Sequence, residues 1–194
     1  TVHLEVVSPV STGVPDRDRE EHYHKLSESA VAESVVEELP ESVVTEPPDA
    51  TMVVLVLSRR DVFETRQVIR ETWAKDHTNV FFVLGTCCPI PPSFRKQWTC
   101  SQDRVPSEKE QKTWDAQCQA MDKRLSEEQA GHGDLVRISE VDVYRHLPQK
   151  VKAAYAWAVE HTSARWFVKT DDDSVVRVDT LEHYLATTYD AAKP

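Results

Sequence analysis

Glycine is scarce in this chain, with four in 194 residues. The glycine-rich loop that lets a dinucleotide pyrophosphate approach a helix N-terminus therefore has no place here. No C-x-x-C pair occurs among the four cysteines Cys87, Cys88, Cys100 and Cys118, which argues against a zinc ribbon or a thioredoxin motif. The single asparagine, Asn79, precedes Val80-Phe81, so there is no N-glycosylation acceptor. No run approaches the roughly 20 apolar residues that span a bilayer. Basic excess is missing too. The net charge of −10 argues against nucleic acid as a partner, because phosphate binding needs a basic surface.

The acidity is unevenly placed. Residues 1–50 hold 12 Asp/Glu against 3 Lys/Arg, and the remainder is close to balanced with 21 against 20. Residues 1–50 are also broken by Pro9, Pro15, Pro40, Pro47 and Pro48 and show no sustained period. They read as an acidic stalk or linker with poor order. Residues 51–194 read as one domain. The chain begins at Thr1 rather than Met, as a fragment or trimmed chain would. Four cysteines permit two disulfides in an oxidising compartment or four thiols in a reducing one.

From residue 51 onward, apolar runs alternate with helical periods. Thr51–Leu57 is apolar throughout, as a strand covered on both faces of a parallel sheet would be. Asp61 and Glu64 have capping-box spacing ahead of a helix over 62–74. Val80–Gly85 is a second strand, and 86–106 is irregular. Ser107 and Glu110 open another helix, whose stripe Trp114, Cys118, Met121 and Leu125 marks a core-facing side. Gly131-His132-Gly133 closes it. Asp134–Ile138 is a third strand. A helix entered at Pro148 carries Leu147, Val151, Ala154, Tyr155 and Ala158 on one face, and Ala164–Lys169 is a fourth strand. Asp179 and Glu182 repeat the capping spacing. The alternation predicts a mostly parallel, Rossmann-like α/β sheet flanked by helices.

The stretch Trp166-Phe167-Val168-Lys169-Thr170-Asp171-Asp172-Asp173 carries the chemistry. An aromatic and β-branched run suits a buried strand, but three adjacent carboxylates cannot remain in a core without partners. They belong at the strand's carboxyl end, where open α/β sheets bind ligands. Hard oxygen donors there suit a divalent cation. Arg59, Arg60, Arg66 and Arg70 cluster about the first strand-to-helix junction, where they either meet an anionic ligand or brace the helix.

Four motifs in order now resemble glycosyltransferase family 31, over roughly residues 52–186. Arg66 with Val68-Ile69-Arg70-Glu71-Thr72-Trp73 is similar to that family's arginine–x–x–isoleucine–arginine–x–threonine–tryptophan helix. Phe82-Val83-Leu84-Gly85 resembles its second strand. Asp142-Val143-Tyr144-Arg145-His146-Leu147 with Lys150 and Trp157 resembles its central block, and Lys169-Thr170-Asp171-Asp172-Asp173 its acidic motif. The resemblance implies a GT-A-like fold and a hexosyltransferase. Such an enzyme would move galactose, N-acetylgalactosamine or N-acetylglucosamine from a UDP-sugar, in β-1,3 linkage, to a glycan on a glycoprotein or glycolipid. It implies manganese (Mn2+) held by Asp173 and Asp171, and nucleotide-sugar contacts from Arg59, Arg66, Arg70, Asp171 and Asp172. It also implies a type II membrane protein of the Golgi or endoplasmic reticulum lumen, its signal-anchor outside this chain. The general base and acceptor half are expected beyond Pro194, so this chain alone would hold UDP and metal without transferring sugar. The alternative is a non-catalytic UDP/metal-binding or interaction fragment derived from such an enzyme.

Overall fold

The computed structural model describes residues 5–7 and 51–189. In chain order they form strand β1 (Glu5–Val7), β2 (Met52–Leu57), helix α1 (Phe63–Glu71), β3 (Val80–Thr86), α2 (Glu108–His132), β4 (Leu135–Val141), α3 (Leu147–His161), β5 (Trp166–Asp171) and α4 (Val178–Tyr184). Short 3-10 turns occupy Pro92–Phe94 and Tyr144–His146. The sheet order is β1-β5-β2-β3-β4. β5, β2, β3 and β4 run parallel, and β1 pairs antiparallel on the outer side of β5. This is the expected GT-A-like, mostly parallel arrangement. Apart from Glu5–Val7, the acidic front segment lies outside the described residues.

The continuous apolar run of β2 follows from its position between two parallel neighbours with both faces covered. Met52, Val54 and Val56 point to one side and pack with Ile69 of α1 and Leu125 of α2. Val53, Leu55 and Leu57 point to the other and pack with Ala154 and Ala158 of α3. Two half-cores thus sandwich the sheet, and the period-2 alternation of β2 feeds both.

Helix ends matched local chemistry unevenly. Ser107 and Glu110 form the expected reciprocal capping box, and Gly133 closes α2 in the left-handed region at φ 72°. The other two expected capping boxes do not form. α1 starts one residue late, with Val62 at the cap and no side-chain cap bond, because the Asp61 carboxylate is taken by Arg59 at 2.6 Å. α4 is capped by Arg177, which leaves Asp179 inside its first turn, and Glu182 instead accepts from Asn79 Nδ2 at 2.8 Å.

The irregular stretch after β3 is fastened by two disulfides, Cys87–Cys118 and Cys88–Cys100. Of the alternatives open in the sequence, the oxidised pair is the one realised. Closing loops of 31 and 12 residues removes denatured-state freedom. In the chain-entropy model that is worth about 3–4 kcal/mol each.

Gly85 shows why the end of β3 needs a bare backbone. The β3–β4 register shifts between Leu84 and Thr86, so a bulge of β4 leans over Gly85. A Cβ at Gly85 would collide with the Glu140 carbonyl oxygen and sit 2.9 Å from the amide nitrogen of Asp142. Gly85→Ala is expected to destabilise the fold by about 1–3 kcal/mol. Urea unfolding of the variant against the parent checks this, and an unchanged midpoint would show that the bulge relaxes freely.

Candidate functional site

The chain steps from β2 outward through β3 to β4, and α3 then carries it back across the sheet to β5 on the other side of β2. The carboxyl ends of β2 and β5 therefore flank a topological switch point, where crevices open in sheets of this class. Leu57 and Asp171 are register partners there. Residues following each strand, Ser58-Arg59 and Asp172-Asp173, are brought side by side.

Asp172 is the acid that ties the two strand ends together. Its Oδ2 accepts from Ser58 Oγ at 3.0 Å and from the Arg59 amide at 3.4 Å. Asp171 is half exposed and lies 3.5 Å from Lys169 Nζ. Asp173 is exposed, and among the described residues its Oδ1 accepts one long bond, from Ser174 Oγ at 3.4 Å. Among the described residues, no three His, Cys, Asp or Glu side chains converge as a metal cage.

Beneath this rim lie two buried cations. Lys150 of α3 donates to the Ser58 carbonyl at 2.7 Å and to Asp142 Oδ1 at 2.8 Å. Arg66 of α1 has no exposed side-chain surface. It donates to the Arg59 carbonyl at 2.6 Å and forks onto Glu128, through Nε at 2.8 Å and Nη2 at 2.7 Å. Arg70, one turn along, meets Glu128 at 2.8 Å and forks onto Asp134 with both bonds at 2.7 Å. Of the two roles open to Arg66 and Arg70, these contacts are those of braces: Arg66 underpins the Ser58–Arg60 turn, and Arg70 reaches toward the start of β4. Arg59 alone of the three presents an exposed guanidinium, in a pair with Asp61.

A cleft of about 490 Å³ opens beside the switch point. Arg59, Arg60, Asp142, Trp114 and the Cys87–Cys118 bridge contribute to its wall. Arg60 is held there by the Gly85 carbonyl at 3.0 Å and Asp122 at 2.9 Å. Asp142 Oδ2 is closed off from solvent and meets no donor among the described residues.

Glu128, Asp122 and Asp134 were not singled out by the sequence pattern. Glu128 carried a readable signal, because it continues the Trp114, Cys118, Met121, Leu125 spacing of α2. A carboxylate on an apolar stripe calls for a buried cation as its partner.

Burial would push the Glu128 carboxyl up. The hydrogen bonds and charges of Arg66 and Arg70 outweigh it and hold the group below the usual carboxylate range. Burial likewise works against the charge on Arg70, yet Asp134 and Glu128 raise it above its ordinary value. For an acid whose folded pKa is depressed, the linked stability is present above its unfolded value of about 4.3 and is lost as pH falls through the folded one. Urea titrations from neutral pH to pH 3 should show the parent chain losing stability in that acid window. Glu128→Gln should be less stable at neutral pH by about 3–5 kcal/mol, because buried Arg66 loses its carboxylate while Arg70 keeps Asp134, and should lose part of the acid dependence. Parallel pH profiles for the two would show that Glu128 is not the linked group.

Residues 113–193 match the family model described as Galactosyltransferase. The chain is 39% identical over 71 residues to UDP-GalNAc:β-1,3-N-acetylgalactosaminyltransferase 2 of Danio rerio, covering 37% of this chain and 14% of that protein. The Mus musculus protein of the same name is 38% identical over 68 residues, covering 35% of this chain and 14% of its own length. UDP-GalNAc:β-1,3-N-acetylgalactosaminyltransferase 1 of Rattus norvegicus is 28% identical over 141 residues, covering 69% of this chain and 35% of that protein. The chain thus spans between about one seventh and about one third of these relatives. The matched residues 113–193 run from α2 through the three aspartates, so the similarity to the galactosyltransferase model takes in the strand end that carries them.

Proposed function

We propose that this sheet is the nucleotide-sugar-binding half of a hexosyltransferase. The reaction would move galactose, N-acetylgalactosamine or N-acetylglucosamine from a UDP-sugar to a glycan acceptor in β-1,3 linkage. The observation that carries this reading is the placement of Asp171, Asp172 and Asp173 at the switch point, beside the Ser58-Arg59 turn. The names of the relatives, which specify UDP-GalNAc and a β-1,3 linkage, support the donor class.

The acids fit a divalent cation such as Mn2+ by their donor chemistry. Hard carboxylate oxygens suit it, and small divalent ions at nucleotide sites use one or two carboxylates together with the substrate's phosphates. Asp173, exposed and nearly unengaged, is the first candidate ligand, and half-exposed Asp171 is the second. Bound there, the ion would offset the negative charge that develops on a departing diphosphate. Asp172 has a different part. Fixed by Ser58 and the Arg59 amide, it holds the acidic turn against β2 and keeps its remaining lone pairs for a ribose hydroxyl. Arg59 offers an exposed cation to the diphosphate. Arg66 and Arg70 support the site from below, through the Ser58–Arg60 turn and through α1.

Two disulfides support an oxidising compartment, in keeping with a Golgi or endoplasmic reticulum lumen. Among the described residues, no helix is long and apolar enough to cross a membrane. A signal-anchor is therefore part of this proposal for the whole protein only.

Calorimetric titration of UDP with and without Mn2+ tests the reading. Binding is expected only with the ion, and Asp173→Ala should weaken it by roughly tenfold or more, about 1.4 kcal/mol. Ion-independent binding, or binding indifferent to Asp173→Ala, would remove the proposed role of the acids. A transfer assay run beside it separates an active transferase from a binding fragment.

A further inference from the structure

The segment between β3 and α2 builds a rigid tip. The Cys88–Cys100 bridge closes it, Arg95 pairs with Gln102, and the Lys96 amide donates to the Ser101 carbonyl at 2.8 Å. At the tip, Trp98 has φ 66°, the one non-glycine residue with positive φ among those described. Such a conformation costs on the order of 1–3 kcal/mol and persists only where neighbouring structure imposes it. Here the Trp98 carbonyl accepts from the Arg145 amide at 3.0 Å, which docks the tip onto the Tyr144–His146 turn.

The result is an uncovered aromatic pair. Trp98 is 60% exposed and Tyr144 69% exposed. Their ring centroids lie 5.9 Å apart with planes at 59°. The other close ring pairs, Phe81–Trp157 and Trp157–His161, share Trp157, which packs against the half-core under α3. Neither ring lines the cleft, but Arg95 and Asp142, three and two residues from them in the chain, do.

We infer that Trp98 and Tyr144 form a stacking platform for a neutral hexopyranose ring of a glycan, outside the proposed nucleotide site. A pyranose has one face of C–H groups that packs on an aromatic ring, while its hydroxyls point sideways to water and polar neighbours. Lys96, Gln97 and Arg145 are exposed polar residues beside the pair in the chain. The tilted arrangement forms a corner that a puckered ring can fill, and it leaves no slot between parallel planes in which a flat base could be sandwiched. Two rings among charged residues are too small to anchor a protein interface, which takes about 800 Å² per partner. A rigid pair also loses little freedom on binding, because each aromatic side chain has only two torsions and the tip is already fixed. The platform follows β4, three strand spacings from β5, so about 14 Å of sheet edge separates it from the three aspartates. A glycan chain with one end at those acids would pass over it. This assignment rests on the proposed glycosyl transfer.

Saturation-transfer NMR on the full chain, with lactose and separately with uridine, provides the test. Lactose C–H signals are expected with the parent chain. They should fall roughly fivefold in Trp98→Ala and in Tyr144→Ala and persist in Trp98→Phe, since an aromatic face is what the sugar needs. Mn2+-dependent UDP affinity should stay unchanged in all three. Intermolecular NOEs between lactose and the Trp98 indole in the parent chain decide the same point should an alanine variant misfold. A lactose signal that is absent, or indifferent to both alanine variants, while UDP still binds, overturns the platform and leaves the transfer reading standing. Loss of a uridine signal in those variants, with none for lactose, also overturns it and moves the pair to the donor side. A parent chain that binds neither lactose nor UDP with Mn2+ sinks both readings.

Discussion

Two cations buried beneath one turn set the terms for the rest of the molecule. Arg66 and Lys150 approach Ser58–Arg60 from opposite faces of the sheet, one from α1 and one from α3, and both donate to main-chain carbonyls of that turn. A buried cation without a partner is costly, and Glu128 and Asp142 offset that cost for Arg66 and Lys150. The turn then holds Asp172 through Ser58 Oγ and the Arg59 amide. Strand order, helix packing and acidic motif are connected by this column of charge.

Placement of the acids follows from sheet topology as much as from their own chemistry. Three carboxylates at the end of a strand could face solvent at any sheet edge. Here the return of α3 across β2 puts β5 beside the first strand of the series, and the acids arrive at the crevice that this crossover opens. Gly85 contributes on the neighbouring strand. With no side chain in the way, the β4 bulge can bring Asp142 to within hydrogen-bonding range of Lys150. Backbone economy at one glycine thus bears directly on the electrostatics of the Ser58–Arg60 turn.

Much of the sheet was legible because buried parallel strands are written as unbroken apolar runs. The Met52–Leu57 and Val80–Thr86 strands could be read within a residue or two. The Ser107–Glu110 box was legible because both halves of that motif lie within four residues. The Asp61–Glu64 spacing misled because a nearby arginine competed for the same carboxylate, and local spacing does not see such competition. The arginines on α1 were visible, but their partners lie more than sixty residues away on α2 and at the start of β4. Periodicity says which residues share a helix face, and not what that face meets. Glu128 was the exception that pattern alone could have flagged, since it interrupts an apolar stripe. The pairing of the cysteines was beyond any local rule, because both bridges depend on where α2 and the Trp98 tip come to rest.

Those bridges have a consequence for how the polypeptide matures. Cys87 and Cys88 are adjacent, yet one is joined to α2 and the other to the tip that carries Trp98. Four cysteines allow three pairings, and neighbouring thiols are reached by the same incoming partners at nearly the same time. A crossed pairing would exchange the tethers of helix and tip and pull both out of place. A crossed pair formed first would have to be undone by thiol–disulfide exchange before packing could select the native one, a step governed by the redox poise of the compartment in which the chain folds.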